Sequence, residues 1–241
     1  MASPLAVPLA PNLWRLRLAG DFTNAYALRD EDGQVTLIDT GLKFSANRVS
    51  KALRSVGIEH SDVARILISH VHSDHAGSAA TMADRTNAAV SVHSEDAVFL
   101  RTGTTPPLDQ SLRLGRFFSR FNGKGQAFTP VEPADELVDG TLLPYGGGLR
   151  VLHTPGHSPG HVSFLHEPSG VLITGDALFN VLGRLGYSVP FFCTDFRMSQ
   201  RTAQRFTEVD FSTVAFMHGP HVADGAQRYV GRFLARKRLK D

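Results

Sequence analysis

The sequence predicts an α+β fold in which two sheets pack face to face and helices cover the outer faces. Two observations carry this reading. Short apolar strand runs alternate with helix-like segments, and this alternation occurs twice, on either side of a stretch at about 95–128 that has no strand pattern. A sheet with one apolar face, or a helix with one apolar stripe, must bury it against another layer, so two such half-units give a four-layer αββα sandwich.

Trp14, Leu16 and Leu18 alternate with Arg15 and Arg17, the pattern of a half-buried strand. Strands at 24–28 and 35–38 follow, joined by the turn Asp30-Glu31-Asp32-Gly33, so the three form one hairpin-linked sheet. Val49, Leu53 and Val56 recur at helical spacing within 45–56, and Gly57 ends that helix. A strand at 66–68, a small-residue helix at 76–83 and a strand at 89–92 complete the first half. The segment at 95–128 reads as a helical insert of one or two helices, with Pro106 and Pro107 followed by Leu112, Leu114, Phe117, Phe118 and Phe121. Its aromatic face is either core or a lid over a pocket, and Arg113, Arg116 and Arg120 form a solvated face.

In the second half, strands at 137–143 and 149–152 flank Tyr145-Gly146-Gly147-Gly148, and a hairpin at 162–165 and 171–174 turns at Pro168-Ser169-Gly170. A helix at 198–206 and a strand at 214–217 come next. Ala226, Tyr229, Val230, Phe233 and Leu234 give the closing helix an apolar stripe, and the basic tail from Arg236 to Lys240 is a solvated end.

The chain of 241 residues, 42% hydrophobic and 20% charged, supports a real core, and a single domain over 1–241 is expected. A net charge of +2 gives no strong field for nucleic acid or an anionic membrane, neither of which is expected as a partner beside a small-molecule substrate, and the oligomeric state is left open. The lone Cys193 forms no internal disulfide and reads as a small buried hydrophobe. Pro4, Pro8 and Pro11 with no basic leader make a poor signal peptide, and no apolar run reaches the ~18–20 residues of a membrane span. A cytoplasmic location is expected.

The chemistry concentrates in His70-Val71-His72-Ser73-Asp74-His75, directly after the apolar run Ile66 to Ile68. Unmetalled, so many polar groups at one strand end would lack partners. Imidazole and carboxylate together suit zinc, with iron or manganese as alternatives. Alternation puts His70 and His72 on one side, while Asp74 and His75 enter a turn and face a second point. Three further strand ends deliver donors beside Gly or Pro: His157, Asp176 and His218.

In this order, Asp39-Thr40-Gly41, His70-x-His72-x-Asp74-His75, His157, Asp176 and His218 resemble the metallo-β-lactamase fold superfamily, in its binuclear metallo-hydrolase branch with glyoxalase II and the lactonases. The resemblance implies a metallo-β-lactamase-like sandwich with two zinc ions at the sheet edges. It implies that His70, His72 and His157 hold one ion, that Asp74, His75 and His218 hold the other, and that Asp176 bridges them. Asp39 would orient the ligand loop. A shared hydroxide would attack a small ester, thioester or lactone, with Asp74 or Asp176 passing the proton to the leaving group. Lactonases place tyrosine three residues past the bridging aspartate, where this chain has Phe179. His161 is expected to brace the His157 loop, and His93, His153, His166 and His221 to be structural. Rival readings are a mononuclear iron persulfide dioxygenase and a non-catalytic binding relic.

Overall fold

The computed structural model describes residues 3–118 and 126–237. The first sheet contains β1 (Ala6–Ala10), β2 (Leu13–Arg17), β3 (Asn24–Arg29), β4 (Val35–Ile38), β5 (Val63–Leu67), β6 (Ala89–Val92) and β7 (Asp135–Glu136), side by side in chain order. The second contains β8 (Leu142–Leu143), β9 (Leu149–His153), β10 (Val162–His166), β11 (Val171–Ile173) and, beyond a separate hairpin of β12 (Phe179–Val181) and β13 (Arg184–Gly186), the strand β14 (Thr213–Ala215). Helices α1 (Ala46–Arg54), α2 (Ala79–Thr86) and α3 (Ser94–Thr102) belong to the first half. A short α4 (Arg113–Phe118) follows, and α5 (Phe196–Thr202) and α6 (Ala226–Lys237) belong to the second half.

Strand alternation sorts the apolar residues into three cores, which is the physical content of four layers. On β3, Ala25 and Ala27 face Val49, Leu53 and Met82 of the helices, while Tyr26 and Leu28 face the other sheet. On β11, Val171 and Ile173 enter the central core and Leu172 meets Phe206, Val230 and Leu234 on the opposite side. The central layer closes around Ile38, Leu67, Val151, Val162 and Phe164.

This topology positions a site at one edge. Strands β4, β5 and β6 run parallel, so their C-terminal ends share that edge. Strands β9 and β11 are each antiparallel to β10 and therefore parallel to one another, and β11 is parallel to β14. The sheets are laced together there by Val162 N–H to the Ser69 carbonyl at 2.8 Å and Asn24 N–H to the Met217 carbonyl at 2.9 Å.

Several expectations are corrected. The proline-bearing start is strand β1, where Pro8 sits opposite Trp14 at a sheet edge, the place that tolerates a missing N–H. The strand read at 137–143 does not form as one piece. The chain leaves the first sheet after Glu136, buries Leu137 in the central core and joins the second sheet only at Leu142. The hairpin of β12 and β13 was not anticipated. The helix read at 76–83 begins at Ala79, and the helix read at 198–206 starts at Phe196, where Asp195 accepts the Met198 N–H at 2.8 Å.

The helical segment at 95–128 holds α3 and α4 but does not stand between the two halves. α3 packs Ala97 and Leu100 into the first helix–sheet core, Phe128 joins that core, and the chain then adds β7 to the same sheet. Phe117 is 52% exposed, so it is not core. Arg120 and Phe121 lie outside the described residues.

Phe164, fully buried between the sheets, is expected to cost about 3–5 kcal/mol on truncation to alanine, measured by urea unfolding. Leu182→Ala, at a site 89% exposed, is the control and should leave the midpoint unchanged.

Candidate metal centre

All seven predicted donors converge. His70, His72 and His157 present ligand atoms within 4.8 Å of one another, as do His70, His75 and Asp176, and Asp74, His75 and His218. Asp176 is the hub. Its Oδ2 lies 3.2 Å from His157 Nε2, 3.3 Å from His218 Nε2 and 3.9 Å from His70 Nε2, and its Oδ1 lies 3.4 Å from His75 Nε2. Asp74 Oδ2 is 3.4 Å from His218 Nε2 and 3.6 Å from His75 Nε2. His72 Nδ1 faces His157 Nε2 at 2.9 Å.

Each ring but His72 has its other nitrogen occupied away from the centre, which aims the bare nitrogen inward. His75 Nδ1–H donates to Asp39 Oδ2 at 2.8 Å, and His70 Nδ1 faces Ser69 Oγ at 3.1 Å. His157 Nδ1 faces Ser188 Oγ at 3.1 Å with Cys193 Sγ at 3.5 Å. His218 Nδ1–H donates to the Phe22 carbonyl. His70 Nε2, His75 Nε2 and Asp176 Oδ1 are buried without a hydrogen-bond partner. Buried polar atoms are rarely left so, and three on one centre, all of ligand type, fit a cation.

The charge balance points the same way. Burial and the neighbouring rings push the pKa of His70 down, and His72 falls to about 3 through burial and His157. Burial opposes charge on His75 and His157 too, but Asp176 overrides it, raising His75 and bringing His157 to about 10. His218 is raised by Asp176 against burial. Burial alone would raise the Asp176 carboxyl; His218, His75 and His157 instead hold it well below the usual carboxylate range. Asp176 therefore draws positive charge to the centre, which a bound metal ion would supply without protons.

The loops are held by groups of two kinds. Asp39, anticipated to orient the ligand loop, accepts Ser69 N–H and Ser69 Oγ–H, each at 2.7 Å, besides His75. Its φ of 59° is strained for a non-glycine residue and is held by these bonds. Asp96 was not anticipated. Fully buried on α3, it accepts Val71 N–H at 2.9 Å, Ser158 Oγ–H at 2.6 Å and Gly160 N–H at 2.7 Å, and so joins the His70 loop to the His157 loop. Desolvation raises its carboxyl pKa despite these bonds. The His218 loop is held from the first sheet. Asn24 Nδ2 donates to the Phe216 and Gly219 carbonyls, each at 2.9 Å, Tyr26 Oη–H to Phe216 at 2.6 Å and Arg15 to Gly219 at 3.1 Å. Gly219 takes φ 113° against the Asn180 carbonyl, where a Cβ would collide.

His161 does something other than bracing the His157 loop alone. Its Nε2 accepts the Asp176 N–H at 2.8 Å and its Nδ1–H faces the Thr154 carbonyl at 3.0 Å, so it positions the carboxylate loop. Burial holds this ring neutral, with a pKa of about 3. His166 bonds Ser169 and Gly146, as a structural residue does. His93 stacks on His153 at 4.0 Å, and each ring uses a nitrogen on the backbone, at Glu95 N–H and the Pro159 carbonyl. Asp96 was legible only as one acid in a helix; its partners lie at a sequence separation no pattern reveals.

A cavity of about 390 Å³ opens on the centre. Leu42, Leu108, Phe179, Val189 and Phe192 line it beside Asp74, Asp176, His72, His157 and His218, with no lysine or arginine among its described lining residues. Thr105 and Leu108 come from the segment after α3, so that segment forms a wall.

The family model of the metallo-beta-lactamase superfamily matches residues 18–228. The chain belongs to this superfamily, a family of metallo-hydrolases. An uncharacterized protein of Bacillus subtilis (strain 168), YobT, is 32% identical over 215 residues, spanning 85% of this chain and 86% of that one. An N-acyl homoserine lactonase of a Bacillus species is 28% identical, spanning 76% and 74%. The crystal structure of a metallo-beta-lactamase family protein of Thermus thermophilus superposes with a TM-score of 0.68 at 26% identity, covering 95% of this chain and 80% of that one. Among the described residues no helix is long and apolar enough to cross a membrane.

Asp96→Ala is expected to lower stability by about 3 kcal/mol in urea unfolding, because it strands buried donors of two loops. Asp96→Asn keeps an acceptor oxygen and should lose less.

Proposed function

We propose that the chain is a dinuclear zinc-dependent hydrolase acting on a small ester, thioester or lactone. The carrying observation is the group of buried, partnerless ligand atoms around Asp176. His70, His72 and His157 would hold one ion and Asp74, His75 and His218 the other, and Asp176, whose Oδ1 lies toward His75 and Oδ2 toward His70, His157 and His218, would serve both. When bound, the ions supply Lewis acidity and bring the pKa of water toward ~7.

The chain's own residues do the rest. Asp176, held ionised, keeps the rings in place as neutral donors once metal replaces their protons. Asp74 is the part-exposed carboxylate at the cavity wall, placed to receive a proton from water and return it to the leaving group. Leu42, Leu108, Phe179, Val189 and Phe192 hold an apolar acyl portion and thin the water around the centre. The described lining residues include no lysine or arginine, which suits a neutral substrate, and the lactonase relative supports the ester and lactone class.

Elemental analysis of purified protein is expected to give about two zinc ions per chain, and stoichiometric absence of transition metal would end this reading. His72→Ala and Asp176→Ala should each lose metal and reduce turnover on a panel of esters and lactones by at least about a hundredfold. An Asp176→Ala variant with both ions and full rate would remove the bridging role.

Because Asp176 raises His75 and His218 and brings His157 to about 10, protons compete with zinc for these rings, and zinc binding must displace the proton His157 holds at neutral pH. Calorimetric titration of the apoprotein in buffers of different ionisation enthalpy should therefore show net proton release, with affinity rising as pH rises.

A further inference from the structure

A second groove lies away from the metal centre, between the β12–β13 hairpin and α6. It has a volume of about 710 Å³ and is lined by Arg184, Arg228, Arg232, Arg236 and Lys237, with Asp224 its one carboxylate. Its floor is apolar, formed by Leu185, Tyr229 and Phe233. Arg228, Arg232 and Arg236 recur every fourth residue and so share one face of α6, a helix with no acidic residue in Ala226–Lys237. None of these five cations has a hydrogen bond or ion pair among the described residues.

This arrangement is costly without a partner, since like charges at four-residue spacing repel. It is also local, because the whole chain carries a net charge of only +2. We propose that the groove binds a phosphorylated small molecule of nucleotide size. Guanidinium groups match phosphate oxygens bidentately, and four of the five cations are arginines. The apolar floor suits a ring beside the phosphates. The volume falls in the range of small-ligand clefts, and a concave site favours a compact anion over a membrane surface or a duplex. Arg184 and Leu185 stand on the same hairpin as Phe179, which pairs with Gly186 and lines the metal cavity, so an occupant braces an element shared with that cavity.

The test is calorimetric titration of the metal-loaded full chain with ADP and, separately, inorganic tripolyphosphate at physiological ionic strength. Saturable ADP binding is expected, weaker by at least about tenfold in R228Q/R232Q and in R184Q, and unchanged in R113Q, an exposed arginine outside the groove. Tripolyphosphate should bind through the same residues but more weakly, lacking the ring. Thermal unfolding confirms that the variants fold. The proposal is overturned if ADP fails to saturate, if the groove variants bind it as the parent does, or if anionic vesicles or duplex DNA bind through these arginines while ADP does not.

Discussion

A buried carboxylate surrounded by inward-facing imidazoles is the constraint on which this molecule turns. Asp176 is removed from water, a position that disfavours its charge, yet the rings of His75, His157 and His218 keep it ionised. Each ring reaches it from a different loop, so every loop must be held against the repulsion and desolvation of the others. Asp39, Asp96, Asn24, Tyr26, Arg15 and His161 do this, mostly through backbone N–H and carbonyl groups. The centre is thus a set of ligand-type atoms supported by a surrounding layer of buried hydrogen bonds, and the apolar sandwich keeps water from competing with them.

The two sheets explain why such a centre sits where it does. Parallel strands within each half bring several C-terminal ends to one edge, and the two edges meet where Ser69 and Val162 bond. Loops leaving those ends start from fixed positions, so short segments suffice to aim side chains at one point. The His70 to His75 segment is the extreme case, since four of its donors come from a single strand exit. The apolar cavity wall is built differently, from Leu42 after β4, the segment after α3, Phe179 of β12 and the segment holding Val189 and Phe192, none of which is among the candidate donors.

Local patterns were enough wherever neighbours in sequence are neighbours in space. Strands β4 and β6 lie where alternation and apolar runs put them, and the hairpin at Pro168-Ser169-Gly170 forms as read. Reading failed where distant partners decide. The segment 137–143 is broken by a turn at Asp139-Gly140, and only Leu142–Leu143 joins the second sheet, after the chain has left the first at Asp135–Glu136. β1 contains Pro8, which argues against a strand until Trp14 pairs with it at an open edge.

Residue types and their order beside Gly and Pro picked out by themselves the seven candidate donors, His70, His72, Asp74, His75, His157, Asp176 and His218, because ligand chemistry is written in side-chain identity and every candidate stands at the end of an apolar strand run. The four-layer class followed from alternation, since each strand carries its two faces in its own sequence. Only the tertiary structure decided which groups hold those donors and what encloses them. Asp96, Asn24 and Arg15 act on loops scores of residues away, and a hydrogen bond to a distant backbone leaves no periodicity along the chain for a reader to find.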